Sequence, residues 1–584
     1  MRPQSILSIC GARRAEGQNL VFPPFISHAR SLYQSVSLVL WLFCLCDPFA
    51  FSPPTSLSQS DVLLSWRCCS LSPSVSRRHP ISMISQHKYT GSPARMPSRR
   101  SSVAIAFIAL SFLLLLYTSR RLGSWTPYNE PYHHETDPHK SQHAPQGDGA
   151  HDTKPVPSTQ APAVDPLCEG FPDTSNILLV MKTGASESFA RVPTQMMTML
   201  KCLPDFLIFS DMDQNIGGQE IHDSLATVQE AAQEDNSDFD LYRRQKWCEV
   251  DQENCNKLGN PAREGWNLDK YKNVHIAEKA YNMRPNYDWY LFVDADTYVL
   301  WPNLVEWLKQ LKPTKKVYLG SVTLINNFSF GHGGSGYIVS KATMDDFIGN
   351  NPGVGNQYDM RAKRECCGDY IFALALKDKT EVGVQQMWPT INGEKPATLP
   401  FGPSHWCHPI VTMHHMNAEE INTFWHFERK RYHRLAQSGK KTETLVIRDI
   451  FDEFLAPKLN ETREDWDNNA DNRFYLDQSN DRKWEDWMTN RMKKQDQYNE
   501  HEKKAHESFE ACGAACKSLG NECFMYRYKD GACSISNSFQ LGKPLKKGAD
   551  KDRTMSGWDV EKIKKWVADQ PACDKIRWPE VKTN

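Results

Sequence analysis

The chain has 584 residues, with 69 Lys and Arg against 70 Asp and Glu, and 17 cysteines. That length allows up to about four domains and a large buried core. A net charge of −1 excludes a globally basic nucleic-acid binder and an acidic solvating tail, so no nucleic-acid partner is expected. A mean hydropathy of −0.59 excludes a protein of many membrane spans.

Residues 1–100 are rich in Ser, Pro and Arg and read as a cytosolic tail without a globular core. The apolar run from Val36 to Cys46 is too short to cross a bilayer. Ser101 to Thr118 is free of charge over 18 residues, roughly 27 Å of helix and enough for a thin bilayer. Arg99-Arg100 and Arg120-Arg121 flank it, and Arg77, Arg78 and Arg95 tip the positive charge to the N-terminal side. A single transmembrane helix over 101–118 with a cytosolic N-terminus is predicted. Met96 opens a short tail just before it, so residues 1–95 are expected to lie upstream of the true start. Residues 119–166 carry eight prolines and few aliphatic side chains, and read as a flexible stem.

Five cysteines precede the span and twelve follow it. No C-x₂-C pair is present among them, so disulfides fit better than zinc. The sequons at Asn327 and Asn460 agree with a luminal placement of everything after the span. The expected location is therefore the endoplasmic reticulum or Golgi membrane, in type II orientation.

Between residues 167 and 430 apolar runs alternate with helical patterns. Asn176 to Met181, Phe206 to Phe209 and Trp289 to Val293 read as buried strands, and Ile276 to Tyr281 and Asn303 to Leu311 as helices. The pattern predicts an α/β domain with a largely parallel sheet. Asp294-Ala295-Asp296 follows five apolar residues, which puts two carboxylates at a strand exit, where open α/β sheets place ligands. Hard oxygens there suit Mg²⁺ or Mn²⁺ and, through the cation, a diphosphate. Next comes Gly331-His332-Gly333-Gly334-Ser335-Gly336, which precedes a short strand and reads as close backbone approach to a ligand, with Ser340 as the cap of a following helix. Asp369 stands at a helix N-terminus, and His414-His415 follow a short apolar run.

Taken in order, these pieces resemble the Fringe-like glycosyltransferase family 31, closest to its core 1 β1,3-galactosyltransferases of fungal type. The matching residues are Trp289-Tyr290, Asp294-Ala295-Asp296-Thr297-Tyr298-Val299 with Asn303-Leu304, Gly333 to Tyr337, Gly368-Asp369, and Cys407 to His415. The resemblance implies a GT-A fold, Mn²⁺, a UDP-sugar donor, a glycoprotein acceptor and inverting transfer, and it admits a homodimer. On that pattern Asp294, Asp296 and His415 hold the metal, with His414 as the competing ligand. Thr183 and Gly334 join Asp294 and Asp296 in contacting the nucleotide sugar, and Asp369 is the catalytic base. Gly368 stands where the family commonly carries an acid. The segment from Glu230 to Gly265 matches nothing in the pattern.

Residues 431–505 are strongly charged and read as a helical connector, and Asp465 to Asn468 within them as a turn with a packed Trp. In the C-terminal stretch, Cys512 and Cys516 lie one helical turn apart, and Cys523 and Cys533 flank a hairpin turn at Lys529-Asp530-Gly531. A helix stapled to a hairpin resembles a PAN/Apple domain, here a small α+β unit over 506–571, followed by a tail at 572–584. The resemblance implies helix-to-hairpin disulfides and a role in binding carbohydrate or protein. Two other function classes stay open at this point. A non-catalytic folding partner of the same fold would lack the metal carboxylates, and a binding protein acting through the C-terminal unit would not need Asp296.

Overall fold

The computed structural model describes residues 165–439, 443–479, 482–549 and 553–583. The cytosolic tail, the span at 101–118 and nearly all of the stem lie outside the described residues. Among the described residues, no helix is long and apolar enough to cross a membrane.

The first apolar runs form the strands their composition predicts: β1 (Ile177–Lys182), β2 (Phe206–Ser210), β3 (Gln214–Ile216) and β4 (Gln219–Asp223). Helix α1 (Ser188–Met197) bridges β1 and β2. Helix α2 (Lys272–Met283) then leads into β5 (Trp289–Asp294), the two-residue β6 (Tyr298–Val299) and α3 (Trp301–Leu308). Strands β7 (Tyr318–Gly320), β8 (Val322–Ile325), β9 (Phe328–Gly331) and β10 (Tyr337–Ser340) follow. Helix α4 (Gly368–Thr380), β11 (Val384–Gln386), β12 (Thr412–Met413) and α5 (Ala418–Gln437) complete the unit.

The main sheet runs β11-β7-β10-β5-β1-β2-β4-β3. Its centre, β5-β1-β2-β4, is parallel, but β10 is antiparallel to both β5 and β7, and β3 to β4. The sheet is thus mixed rather than largely parallel, because β10 returns through a tight glycine turn instead of a crossover helix. Alternate residues of β1 and β5 enter two cores: Leu179, Met181, Leu291 and Val293 on one face, Leu178, Val180, Tyr290 and Phe292 on the other. Burial on both faces explains the uninterrupted apolar runs.

All twelve cysteines from Cys168 onward pair, as Cys168–Cys202, Cys248–Cys255, Cys366–Cys367, Cys407–Cys573, Cys512–Cys533 and Cys516–Cys523. The last two tie helix α6 (Phe509–Ser518) to the hairpin β16–β17, as expected. Residues 431–505 depart from the expected helical connector. Helix α5 ends at Gln437, and the stretch then supplies β13 (Thr462–Glu464), β14 (Trp466–Asp467) and β15 (Arg473–Leu476). With β16 (Met525–Lys529), β17 (Ala532–Ser536), β18 (Lys543–Pro544) and β19 (Met555–Trp558), these build a five-stranded sheet, β13-β19-β16-β17-β15, and a β14–β18 pair. Edge-strand registers cannot be read from a charged composition, because exposed edge strands carry charge for the same reason that exposed helices do. Within this stretch Asp467 pairs with Arg527, and the buried Asn468 bonds to Tyr526 and Gly557 carbonyls, so the segment is structural.

The C-terminal sheet shares a core with the α/β domain. Phe524, Met525, Phe539 and Trp558 belong to the same apolar cluster as β1 and β5. Phe401 and Phe539 exchange both backbone hydrogen bonds, at 2.9 and 3.0 Å. The Cys407–Cys573 bond closes a sequence separation of 166 residues. Replacing both of these cysteines by serine is expected to lower stability by about 2–5 kcal/mol, read as a fall in the urea midpoint at unchanged slope.

Candidate functional site

The parallel strands β1, β2 and β5 end at one edge of the sheet. Lys182 closes β1, Asp211 follows β2, and Asp294 closes β5. Register sets the first contact, because Lys182 and Asp294 are Cα partners in the β1–β5 pairing. The Lys182 ammonium lies 3.3 Å from Asp294 Oδ1 and 2.6 Å from Asp269 Oδ1. Asp269 ends the helix Pro261–Asp269, which closes the Glu230–Gly265 segment left unmatched by the sequence motifs; the Cys248–Cys255 disulfide staples that segment. One layer below, the buried Lys272 donates to Asp211 at 3.0 Å and to the Thr183 carbonyl at 3.2 Å.

Beyond Asp294 the chain turns sharply, with Thr297 N–H donating to the Asp294 carbonyl and Gln195 Nε2 holding the carbonyls of Ala295 and Thr297. Strand β6 then pairs antiparallel with β12, Tyr298 opposite Met413 and Val299 opposite Thr412. Continuing that register sets Asp296 across from His415, and Met416 N–H donates to the Asp296 carbonyl at 3.0 Å. His415 has a left-handed backbone, φ +60°. In an extended strand neighbouring side chains leave on opposite faces. The left-handed turn instead brings the rings of His414 and His415 to 3.9 Å between centroids, a backbone cost of the kind that concentrates at functional sites.

One ligand atom each from Asp296, His414 and His415 lies within 4.8 Å of the others. His414 Nε2 sits 3.2 Å from Asp296 Oδ1, and its Nδ1 is buried with no partner. Arg191 of α1 reaches Asp296 Oδ2 at 3.5 Å. Burial pushes the Asp296 carboxyl up, but the His414 hydrogen bond and the charges of His414 and Arg191 outweigh it and hold the group at about 2. Partial burial, then the neighbouring His414, push His415 down to about 4, which leaves its ring with a free lone pair at neutral pH. A carboxylate, two imidazoles and an orphaned ring nitrogen fit a divalent cation of Mn²⁺ or Zn²⁺ type.

Both imidazoles join Asp296 in this cluster, whereas Asp294, also expected as a ligand, faces Lys182 and is not among the clustered groups. Burial raises the Asp294 carboxyl against the pull of Lys182, and Asp269 adds to the rise. Thr183 is buried, and its carbonyl anchors Lys272.

The glycine run serves the site's own side chains. A Cβ on Gly334 would lie 2.2 Å from the His414 ring, and Thr297 Oγ1 donates to the Gly334 carbonyl at 2.7 Å. Gly333 N–H donates to Asp369 Oδ2 at 2.8 Å, and Tyr370 N–H to Oδ1 at 2.8 Å. Burial dominates Asp369 and pushes its carboxyl up to about 6; the Gly333 bond and Lys182 oppose the shift, and Asp269 reinforces it. At Gly368 a Cβ would meet the Asp269 carbonyl at 2.5 Å and Asn273 Oδ1 at 2.6 Å. No side chain fits there, and the negative charge beside Asp369 comes from Asp269 instead. Between Asp369 and His414 stands His332, its Nδ1 2.8 Å from Ser335 Oγ and its ring 5.6 Å from that of His414.

Residues 174–387 match the Fringe-like family. The chain is thus similar over this segment to a family of glycosyltransferases, whose members are often divalent-metal dependent. The matched segment holds Asp294, Asp296, the glycine run and Asp369, whereas His414 and His415 lie beyond it. No curated protein matches the chain.

If the geometric cluster is the metal centre, Mn²⁺ titration will separate the two carboxylates. Asp296→Ala and His414→Ala are expected to lose about tenfold or more in affinity. Asp294→Asn is expected to bind Mn²⁺ within about threefold of the parent, since only that variant leaves all three clustered groups in place.

Proposed function

We propose that the protein is an inverting, UDP-sugar-dependent β1,3-glycosyltransferase, with galactose as the sugar and an O-linked N-acetylgalactosamine of a glycoprotein as acceptor. The reading further holds that Mn²⁺ is its cation and that it works in the Golgi or endoplasmic reticulum lumen on a single type II span. One observation carries it: within a Fringe-like domain, the Asp296–His414–His415 cluster and the buried Asp369 converge on one end of the sheet. The motif residues Asp294-Ala295-Asp296-Thr297-Tyr298-Val299 and the glycine run support the core 1 branch by resemblance.

In this reading Asp296, His414 and His415 hold the cation. When bound, it supplies positive charge against the donor diphosphate. Asp369 takes the proton of the acceptor 3-hydroxyl as that oxygen attacks the anomeric carbon, and the bond from that carbon to the diphosphate oxygen breaks on the opposite side. A carboxyl raised to about 6 is well matched to this task, being ionised at neutral pH yet more basic than a solvated aspartate. The two backbone N–H groups on Asp369 fix its orientation while leaving lone pairs for the incoming hydroxyl. Lys182 and Arg191 add positive charge around the expected position of the diphosphate.

Assay of the purified region from residue 122 onward against a panel of UDP-sugars and acceptors, with and without Mn²⁺, tests the assignment; absence of transfer with every pair would overturn it. Asp369→Asn is expected to lower transfer about 10²–10⁴-fold with Mn²⁺ binding retained. Because the base must be ionised, the parent rate should fall as pH drops through about 6 and level off above it. An acid limb centred near 4 would remove Asp369 from the role.

A further inference from the structure

A groove of about 600 Å³ runs along α5, away from the Asp296 cluster. We propose that it binds an extended acidic polypeptide segment and, resting on the transferase reading, that this segment belongs to the acceptor protein.

The groove residues of α5 fall at Asn422, Trp425-His426, Arg429-Lys430, His433-Arg434 and Gln437. Spacings of three and four place them on one helical stripe, and from the first to the last the stripe is about 22 Å long. That length takes six or seven residues of extended chain at about 3.3 Å each. No Asp or Glu lines the groove. Lys430, His433 and Arg434 are exposed, and among the described residues none of them forms an ion pair. Leu167 and Met197 supply apolar surface at 47% and 65% exposure.

Arg429 makes this a built site rather than a charged face. Its side chain is only 6% exposed and is stacked over the rings of Trp425 and Tyr432, at 5.5 and 4.8 Å. One nitrogen, Nη2, donates to the Glu169 carbonyl, while Nε and Nη1 have no partner. The adjacent Glu428 accepts from the Tyr298 hydroxyl. The Arg429 charge acts on the buried Glu428, and the Arg429 side chain lines the groove beside Lys430 and Arg434.

The groove and the site share two helices. Helix α1, which ends in Met197, carries Arg191 to Asp296, and α5 begins three residues after His415.

Fluorescence anisotropy with a labelled eight-residue peptide rich in Asp and Glu, and with its Asn/Gln counterpart, tests this on the region from residue 122 onward. The acidic peptide is expected to bind about tenfold or more tightly than its neutral counterpart, and Lys430→Glu/Arg434→Glu to remove that difference. Arg429→Met should weaken binding as well; should it fail to fold, the surface double variant decides. Equal binding of the two peptides, or binding indifferent to charge reversal, would overturn the proposal. So would capture of phosphatidylserine vesicles without acidic-peptide binding, which would make a membrane the partner. Peptide binding that persists in a protein inactive with every donor would overturn the transferase reading alone.

Discussion

Lys182 ends β1 with its ammonium buried between Asp269 and Asp294, and the carboxylates at this end of the sheet depend on it. Placing three acids in a low-dielectric pocket is prohibitive unless positive charge accompanies them. The ammonium is raised well above the ordinary lysine range because the pull of both aspartates outweighs its own burial, so it stays charged throughout. Asp269 receives most of the benefit and is held below the usual carboxylate range, despite burial that acts to raise it. Asp294 stays raised.

A second constraint is the backbone junction that brings distant chain segments onto that edge. The two-residue ladder between β6 and β12 aligns Asp296 with His415, and the left-handed turn at His415 lets both imidazoles approach it. The glycine run then closes over the pair. Gly334 leaves room for the His414 ring, and Gly333 presents its N–H to Asp369. One short turn thus touches the Asp296–His414–His415 cluster and Asp369 together. Any side chain at Gly334 would displace His414, and with it the relation between the two halves of the reaction.

Much of this was legible from the chain. The strands β1, β2 and β5, the cap at Ser340, the helix N-terminus at Asp369 and the even set of cysteines from Cys168 onward all follow from local composition and spacing. Asp296 and the histidine pair carry a motif signal, but nothing local ranks His414 against His415; the backbone angle at His415 brings both rings close to Asp296. Lys182 stands unmarked just after the apolar run that ends at Met181, since nothing local marks a lysine whose partner lies 87 residues away. Asp269, just past the unmatched segment, carries no local mark for the same reason. The glycine run read as close backbone approach to a ligand, and in the structure it lies against the protein's own His414 and Asp369. Residues 431–505 misled because surface charge marks exposure, which exposed strands and exposed helices share.

The C-terminal sheet changes how the catalytic edge should be viewed. Phe401 and Phe539 join the two sheets through the backbone, Trp406 packs on Trp566 of the helix Val560–Ala568, and Cys407 is bonded to Cys573. Residues 405–411 lead straight into β12 and the histidine pair. Asn303 Nδ2 bonds to the carbonyls of Ile410 and Leu445, fixing this strand from the other side. The loop that delivers His414 and His415 is therefore clamped between the α3 face and the C-terminal sheet. Consecutive imidazoles with one ring nitrogen orphaned need rigid support if they are to stay aimed at one point. A C-terminal sheet that shares the core supplies that rigidity, whereas a tethered appendage would not. The first physical role of the C-terminal region is to hold His414 and His415, which lie outside the Fringe-like segment.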